Sequence, residues 1–385
     1  MKIFSLFSGI GGFEYGFRRI ESECVGFCEI DNVARSVLSQ RFPGVSVHSD
    51  VTKLKSIPKV DIVTAGFPCQ DLSQAGLKHG LSGSQSSLVE HIFRLLSQKR
   101  SAPRLVILEN VSYMLRLQKG DSVRYIVSRA EELGYKWAYR VLDARSFGLP
   151  QRRERVVFIL SRDINPEDIL FPSGYIEPEI DDSVGPIDPS CLYGFYWTEG
   201  KRGLGWTRDG VPTIKGGSTI GIPSPPAIWD PKTGKFGTPS LRDAERLFGF
   251  PADWTKPAIA ETRREGAQWK LIGNSICVPM VEWIASQVSS PKGLIAKAGG
   301  LEPHERMPMA AFGRKGKSWS VQVSTWARRA QSPKLRTFLK YPMKPLSEKA
   351  AKGFYKRALE TRVIRFPDGF LRSLNTYIQD KQRGC

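Results

Sequence analysis

The first 165 residues alternate short apolar runs with longer segments of mixed polarity. The apolar runs have the length of buried strands and lie at Ile3 to Phe7, Val25 to Glu29, Val60 to Gly66, Leu105 to Glu109, Trp137 to Leu142 and Val156 to Leu160. Helix-length segments separate them at Asp31 to Phe42, Ser87 to Lys99 and Asp121 to Gly134. Buried strands separated by helices indicate a parallel sheet covered on both faces. The pattern therefore predicts an α/β fold.

The remainder of the chain has a different character. From about Phe171 to Gly237, glycines, prolines and aromatic residues occur with little periodicity, which is typical of a loop-rich module. Ser289 to Pro308 has the glycines and prolines of a linker. Leu301 to Cys385 then holds 19 Lys and Arg against 6 Asp and Glu, so it carries +13 of the net charge. Its many aromatic residues predict a small folded element, with a helix from Ser347 to Glu360.

Composition limits the class of protein. The chain has 385 residues, 41% of them hydrophobic, which suffices for two or three packed domains. No apolar run approaches the roughly 20 residues of a spanning helix, and the start resembles neither a signal nor a transit peptide, so we expect a cytoplasmic protein. The scattered cysteines predict reduced thiols and no structural metal. A net charge of +19 favours a polyanionic partner.

A glycine loop and two acids indicate a nucleoside cofactor. Phe7 to Gly12 follows the first strand and opens a helix, where glycines let a ligand approach the backbone closely. The alternative is a plain strand-to-helix turn. Glu29 ends the second strand, where a carboxylate can accept hydrogen bonds from ribose hydroxyls, or be a solvated strand end. Asp50 can accept from an adenine amino group, or cap the segment Val51 to Leu54.

A thiol and a carboxyl group are predicted to meet at one edge of the sheet. The third apolar run leads into Gly66-Phe67-Pro68-Cys69-Gln70, and the fourth ends in Glu109-Asn110-Val111. The carboxyl ends of parallel strands are where α/β proteins place their chemistry, although a lone cysteine is often buried and inert. No histidine pairs convincingly with Cys69, which disfavours acyl transfer and proteolysis.

Arginines precede the last strand of this region. Alternation along Gln151-Arg152-Arg153-Glu154-Arg155 puts Gln151, Arg153 and Arg155 on one face. Arginines there can orient the glutamate or hold an anionic substrate. The alternative is a solvated basic strand edge.

Taken in order, these segments resemble the motif series of the DNA cytosine-5 methyltransferases of bacterial restriction-modification type. The matching segments are Phe7 to Gly12, Gly66 to Ser73, Glu109 to Val111, Gln151 to Arg155, Ser240 to Pro251 and Gly273 to Ser275. Thr213-Ile214 resembles the Thr-Leu dipeptide of the family's variable target-recognition region. The likeness covers about Met1 to Leu160 and Thr238 to Ala285, whereas residues 300–385 match no motif.

The resemblance implies an α/β, Rossmann-like S-adenosylmethionine-dependent methyltransferase fold. Its parts are a mixed, mostly parallel sheet, a smaller loop-rich target-recognition domain and a basic C-terminal extension. We expect a catalytic and cofactor-binding domain at 1–165, a target-recognition domain at 166–265, a return segment at 266–290 and the extension at 300–385.

The resemblance also implies a reaction: methyl transfer from S-adenosylmethionine to C5 of a flipped-out cytosine in a specific double-stranded DNA sequence, leaving S-adenosylhomocysteine. C5 is a poor nucleophile, so attack of the Cys69 thiolate on C6 would activate it. Glu109 would hydrogen-bond N3, with Arg153 and Arg155 holding the ring and the glutamate. Flipping the base costs a few kcal/mol.

Site residues and partners are implied by the same resemblance. Cofactor contacts are expected from Phe7, Gly9, Gly11, Gly12, Glu29, Ile30, Asp50, Asn274 and Ser275. Substrate contacts are expected from Phe67, Pro68, Gln70, Ser73, Asn110, Gln151 and Thr213. The loop Gln70 to Ser87 would close over the flipped base, or be an ordinary surface loop. We expect a monomer that binds double-stranded DNA, uses no metal or membrane, and shares its target sequence with a restriction endonuclease that it need not bind.

Other functions stay open on the sequence. An RNA cytosine-5 methyltransferase would have the same fold, although its recognition module is usually shorter. A non-catalytic DNA-binding protein would not need Cys69 and Glu109. A nicotinamide oxidoreductase fits the glycine loop alone but leaves Pro68-Cys69-Gln70 without a role. The basic extension is either a DNA clamp or a solvated element that only packs on the rest of the protein.

Overall fold

The chain forms two compact units. The computed structural model describes residues 1–68, 88–98, 102–172, 186–199, 203–217, 225–262, 264–293, 298–301, 306–328, 330, 332–361 and 364–383. Unit 1 comprises Met1–Phe147, Glu154–Glu177 and Ile276–Arg329, and unit 2 comprises Gly148–Arg153, Pro178–Ser275 and Ala330–Cys385. The four domains expected from the sequence stay a prediction. The units divide the chain at other points, because the C-terminal residues contribute to both.

The secondary-structure elements are numbered here in chain order. The strands are β1 (Lys2–Leu6), β2 (Glu23–Cys28), β3 (Val47–His48), β4 (Ile62–Gly66), β5 (Leu105–Val111), β6 (Lys136–Asp143), β7 (Gln151–Arg152), β8 (Glu154–Ser161), β9 (Tyr193–Phe195), β10 (Thr207–Arg208), β11 (Val211–Pro212), β12 (Ala227–Asp230), β13 (Lys235–Thr238), β14 (Ala298–Gly300), β15 (Ala310–Arg314), β16 (Lys317–Val321) and β17 (Lys344–Pro345). The helices are α1 (Gly12–Phe17), α2 (Asn32–Arg41), α3 (Leu88–Leu96), α4 (Asp121–Glu132), α5 (Glu167–Leu170), α6 (Leu241–Leu247), α7 (Ala258–Thr262), α8 (Glu265–Gly273), α9 (Val278–Ser289), α10 (Leu335–Phe338), α11 (Glu348–Glu360) and α12 (Phe370–Arg383). Short 3-10 turns lie at Ser112–Leu115, Leu117–Gly120 and Ala144–Phe147. Among the described helices, none has the length and apolar character that crossing a membrane requires.

Unit 1 is built on a ten-stranded mixed sheet with the order β14-β16-β15-β6-β8-β5-β4-β1-β2-β3. The pairs from β5 to β3 are parallel, and those from β5 to β14 are antiparallel. The six strands predicted from apolar runs are confirmed to within two residues at each end. The mixed sheet with its parallel core confirms the predicted fold class.

The strand register brings three chain segments to the carboxyl edge of this sheet. Gly66, the last residue of β4, pairs with Glu109 in β5. Because β8 runs antiparallel to β5, its beginning lies at the same edge, and Arg155 pairs with Val111. The edge therefore collects the residues just before Cys69, the Glu109 segment and the second half of the arginine motif.

The C-terminal strands complete unit 1, which the sequence pattern did not predict. β15 pairs with β6, and β16 and β14 lie beyond it at the end of the sheet. The buried guanidinium of Arg140 in β6 donates to the carbonyls of Leu170, Ser324 and Trp326 at 2.8–3.0 Å. Since a buried charge needs hydrogen-bond partners, Arg140 depends on the C-terminal segment.

Unit 2 contains a five-stranded antiparallel sheet with the order β10-β9-β12-β13-β17. Its aromatic side chains pack against α11 and α12, with Phe370 of α12 touching Phe195, Trp206 and Trp229 at centroid distances of 5.2–5.3 Å. The predicted helix in the basic extension is confirmed as α11, and Ser347 caps it by accepting from the Ala350 N–H. Cutting the chain after residue 297 would remove strands from unit 1 and core helices from unit 2, so the role of its charges requires point substitutions.

Candidate active site

An ion pair fixes the predicted catalytic glutamate. Arg155 Nε lies 2.9 Å from Glu109 Oε1, and both side chains are largely buried. A Cβ atom built on Gly66 would lie 3.5 Å from Glu109 Oε2, so the carboxyl group sits directly beside the end of β4. Opposite charges at this distance attract each other strongly where water is largely excluded, which keeps the carboxylate close to Arg155. The structure thus brings Glu109 and Arg155 together beside Gly66, three residues before Cys69.

The backbone leading to Cys69 is tied to β5. Asn110 is buried, and its Nδ2 donates to the Phe67 carbonyl at 3.0 Å. Its Oδ1 accepts from the Val111 N–H at 2.8 Å. Phe67 is buried and Pro68 is exposed. Asn110 therefore positions the start of the segment that carries the thiol.

Several predicted residues of this segment lie outside the described part of the chain. They are Cys69, Gln70, Ser73 and the rest of the loop to Ser87, and their roles stay predictions.

The glycine loop and Glu29 form one hydrogen-bonded unit. Phe7, Gly9 and Gly11 have positive φ angles of 53°, 55° and 81°, so the loop turns sharply before Gly12 begins α1. The Gly9 N–H donates to Glu29 Oε2 at 2.7 Å, and the Asp31 N–H donates to Oε1 at 2.9 Å. Burial raises the pKa of Glu29, while these backbone donors oppose the shift.

This unit leaves space for a ligand. A Cβ on Gly9 would meet no atom within 4 Å. An ionised carboxylate has roughly four acceptor sites, and two backbone donors leave capacity on Glu29 for ribose hydroxyls. Ile30, the next residue, is 74% exposed and offers an apolar surface. Both features fit the predicted nucleoside site.

Asp50 makes the capping contacts that the sequence left as its alternative. Its Oδ1 accepts from the N–H of Thr52 at 2.9 Å and from the hydroxyl of Thr52 at 2.7 Å. These hydrogen bonds lower the pKa of Asp50. A contact between Asp50 and adenine stays a prediction.

The side chain of Arg153 contacts other residues of unit 2. Its guanidinium is 1% exposed and donates to the carbonyls of Ile214, Gly273 and Ser275 at 3.0, 3.1 and 2.6 Å. It also stacks on Phe248, with Cζ 4.6 Å from the ring centroid. Alternation alone predicted one shared task for Arg153 and Arg155. The described contacts give Arg153 backbone carbonyls as partners, so its predicted contact with the cytosine stays untested.

Gln151 and Thr213 also connect the arginine motif to other segments of unit 2. Gln151 Nε2 donates to the Leu247 carbonyl at 2.9 Å, and its Oε1 accepts from the Ile214 N–H at 3.1 Å. The Thr213 hydroxyl donates to the Arg152 carbonyl at 2.7 Å. Their side chains therefore connect the arginine motif to the segment around Ile214, and substrate contact by either residue remains a prediction.

The last predicted motif ends α8 within unit 2. Asn274 is the exposed C-cap residue of α8, and Ser275 is buried. The Ser275 carbonyl is one of the three that Arg153 binds. Cofactor contacts by these two residues also remain predictions.

Sequence reasoning missed a buried acid behind the glycine loop. Glu14 in α1 is buried, and its Oε1 accepts from the Thr64 hydroxyl at 3.0 Å. Thr64 also lies 3.1 Å from the Ser5 hydroxyl. Burial raises the pKa of Glu14 above its ordinary 4.5. The signal was a glutamate between Phe13 and Phe17 on the apolar side of a helix, with small polar residues inside two apolar strands.

Comparison with known proteins defines the class. Residues 1–182 match the family described as C-5 cytosine-specific DNA methylase. The chain is 46% identical over 378 residues to the Type II methyltransferase M2.BsuMI of Bacillus subtilis (strain 168), covering 97% of each chain. It is 31% identical over 300 residues to the Type II methyltransferase M.BsuFI of Bacillus subtilis, covering 74% of this chain and 71% of the relative.

A solved structure supports the fold. The crystal structure of S. pombe Dnmt2 methyltransferase superposes with a TM-score of 0.56 at 17% identity, covering 76% of this chain and 99% of that one. Together with the relatives, this identifies the chain as a member of the C-5 cytosine-specific DNA methylase family, and so as a DNA (cytosine-5)-methyltransferase.

Gly273→Ala tests the tight packing, within unit 2, of the end of α8 against the backbone of Lys215 and Gly216. A Cβ at this position would overlap the carbonyl group of Lys215 and the Gly216 nitrogen. Because backbone atoms cannot move aside as a side chain can, we expect a loss of about 1–3 kcal/mol in the free energy of unfolding, measured by chemical denaturation. Gly217→Ala is the matched control, since its Cβ meets no atom within 4 Å. Equal losses in the two variants would contradict the packing argument.

Glu14→Gln tests the buried acid through pH. A folded-state pKa above the unfolded value adds stability that is complete below about pH 4.5 and is lost as pH rises through the folded pKa. Glutamine still accepts from Thr64 but does not ionise. We therefore expect the variant to be more stable than wild type at pH 8, with the gap closing toward pH 4.5 by up to ~1.4 kcal/mol per pH unit. A stability difference between Glu14→Gln and wild type that stays constant across this range would show that Glu14 does not titrate in this way. Glu21→Gln, at an exposed position, is measured alongside as the control.

Proposed function

We propose that this enzyme transfers a methyl group from S-adenosylmethionine to C5 of a flipped-out cytosine in a specific double-stranded DNA sequence, through a covalent bond between Cys69 and C6. The observation that carries the proposal is the Glu109–Arg155 ion pair beside the end of β4, in a chain that belongs to the C-5 cytosine-specific DNA methylase family.

The glycine loop supports S-adenosylmethionine as the cofactor. Gly9, where a Cβ would meet no atom within 4 Å, leaves room for close approach, and Glu29 has acceptor capacity for ribose hydroxyls. By family resemblance the remaining contacts come from Phe7, Gly12, Ile30, Asp50, Asn274 and Ser275. When bound, S-adenosylmethionine supplies an electrophilic methyl group on a sulfonium.

Cys69 supplies the nucleophile. Its thiolate forms a carbon–sulfur bond at C6, and the electron pair of the C5–C6 double bond makes C5 nucleophilic. C5 would then take up the methyl group as the bond between methyl and sulfur breaks, which leaves S-adenosylhomocysteine. Transfer of the C5 proton to water and expulsion of the Cys69 thiolate would restore the aromatic ring. Asn110, by holding the Phe67 carbonyl, fixes the chain two residues before this thiol.

Glu109 neutralises the negative charge that develops on the cytosine ring. As the thiolate attacks, negative charge develops at N3, and a proton passing from the Glu109 carboxyl group to N3 neutralises it. The step requires Glu109 to have taken up a proton before the thiolate attacks. Arg155, with Nε 2.9 Å from Glu109 Oε1, then stabilises the carboxylate that remains after the transfer.

The DNA is bound by the rest of the chain. A base inside a duplex cannot enter such a site, so the cytosine is flipped out, with the loop Gln70 to Ser87 closing over it. The module from Phe171 to Gly237, which contains Thr213, reads base edges in the major groove. A net charge of +19 suits a polyanionic substrate. Cytoplasmic location, a monomeric state and a restriction endonuclease with the same target remain predictions.

Glu109→Gln tests the proton transfer. The glutamine keeps the size of the side chain and can donate a hydrogen bond to N3, but it cannot transfer a proton. General acid catalysis contributes roughly 10²–10⁴-fold, so we expect a loss in that range in single-turnover methyl transfer, with a modest change in DNA affinity. Glu23→Gln removes an exposed carboxylate at the opposite edge of the sheet, beside the start of β1, and is the control.

An unchanged single-turnover rate in Glu109→Gln would place the acid elsewhere. Extracted tRNA serves as the alternative substrate in the same assay, and methylation of tRNA in preference to duplex DNA would replace the proposed substrate by RNA.

A further inference from the structure

A cavity opens at the carboxyl edge of the unit 1 sheet. It has a volume of about 400 Å³. Its lining includes Ser112, Tyr113, Arg116, Glu154, Arg306 and Met309. None of them was assigned a role by the motifs of the family.

The cavity lies next to the Glu109–Arg155 pair. Ser112 directly follows the last residue of β5, and Glu154 directly precedes Arg155 in β8. The Ser112 hydroxyl donates to Glu154 Oε2 at 3.4 Å, which links the two strand ends. Because side chains alternate along a strand, Glu154 points to the face opposite Arg155. The cavity and the catalytic pair thus occupy opposite faces of one sheet edge.

The rim combines exposed apolar and basic side chains. Tyr113 is 63% exposed and Met309 is 52% exposed, which places both among the exposed large hydrophobic side chains of the described chain. Arg116 and Arg306 are also exposed. Exposed apolar side chains rimmed by polar ones are a feature of interaction sites. Glu154 is the acid in this lining, and its Oε2 accepts a hydrogen bond from the Ser112 hydroxyl.

The C-terminal segment is anchored where it forms the rim. Met307 is buried in the hydrophobic core and packs directly on Gly120. The Met309 carbonyl accepts from the Val141 N–H at 2.8 Å, at the start of the pairing between β15 and β6. Arg306 and Met309 are therefore held at the cavity by a segment that lies beyond residues 1–182, the part matched by the family.

We propose that this cavity binds the sugar-phosphate backbone of the DNA that flanks the target cytosine. Arg116 and Arg306 contact phosphates, for which the guanidinium group has matching geometry and charge. Tyr113 and Met309 pack against deoxyribose. The position at the same sheet edge as the catalytic pair and the two exposed arginines of the lining both favour this occupant. The inference rests on the proposed function, because it takes duplex DNA as the substrate.

The test is the salt dependence of DNA binding by Arg116→Gln/Arg306→Gln. Each phosphate contact contributes close to one unit to the steepness of the plot of log affinity against log salt. We therefore expect the plot for this double variant to be shallower by about 2 units, and its affinity at low salt to be lower than that of wild type. The control is Lys2→Gln/Lys59→Gln, which removes two exposed charges at the opposite edge of the sheet. It should keep the wild-type slope and methylation rate. Equal slopes in the two double variants would overturn the proposal.

Two further measurements separate this site from general electrostatics and from the proposed function. In duplexes shortened step by step on either side of the target, the affinity gap between wild type and Arg116→Gln/Arg306→Gln should vanish once one flank is lost. A gap that persists on the shortest duplex that still binds would overturn the proposal. Tyr113→Ala should weaken binding without changing the salt slope, since it carries no charge, and unaltered binding would remove its contact with deoxyribose. Absence of methyl transfer by the wild-type protein would instead defeat the proposed function, and it is read in a separate assay.

Discussion

The contact between Arg155 and Glu109 is the constraint on which the active site depends. It exists because β8 runs antiparallel beside β5 and places Arg155 opposite Val111, two residues along from Glu109. Gly66, the last residue of the neighbouring strand, lies beside the same carboxyl group. A shift of one residue in the register would turn Arg155 to the other face and leave a buried carboxylate without its partner. The apolar strands of the sheet therefore fix the register that brings Arg155 to Glu109.

The two arginines of the arginine motif belong to different units and contact different groups. Arg155 belongs to unit 1 and contacts the glutamate, whereas Arg153 belongs to unit 2 and binds three backbone carbonyls. The carbonyls belong to Ile214, to Gly273 at the end of α8 and to Ser275 just after it. Substituting one arginine should therefore affect the carboxyl group, and substituting the other should affect the packing of unit 2. The two arginines therefore do not share one role.

Local patterns in the sequence predicted the central strands, whereas features that depend on long-range contacts were missed. Buried strands are continuous apolar runs, so β1, β4 and β5 and the meeting of their carboxyl ends were predictable. β15 and β16 have the sequences AAFGR and KSWSV, which are short and mixed in polarity, and they form strands because the edge of β6 is available for pairing. Glu14 lies on the apolar side of its helix, but its partner Thr64 is 50 residues away in the chain and comes beside it only through the fold. Nothing local to Arg153 identified its carbonyl partners.

The covalent bond between Cys69 and C6 is the central claim, and trapping it is the most direct measurement. A duplex that carries 5-fluorocytosine at the target position should form a stable adduct with wild-type protein and S-adenosylmethionine, because fluorine does not leave C5 as a proton does. The adduct should survive denaturation and be absent from Cys69→Ser, while S-adenosylmethionine binding by that variant stays close to wild type. Robust methyl transfer by Cys69→Ser, or an adduct of equal yield in that variant, would contradict the assignment of the nucleophile.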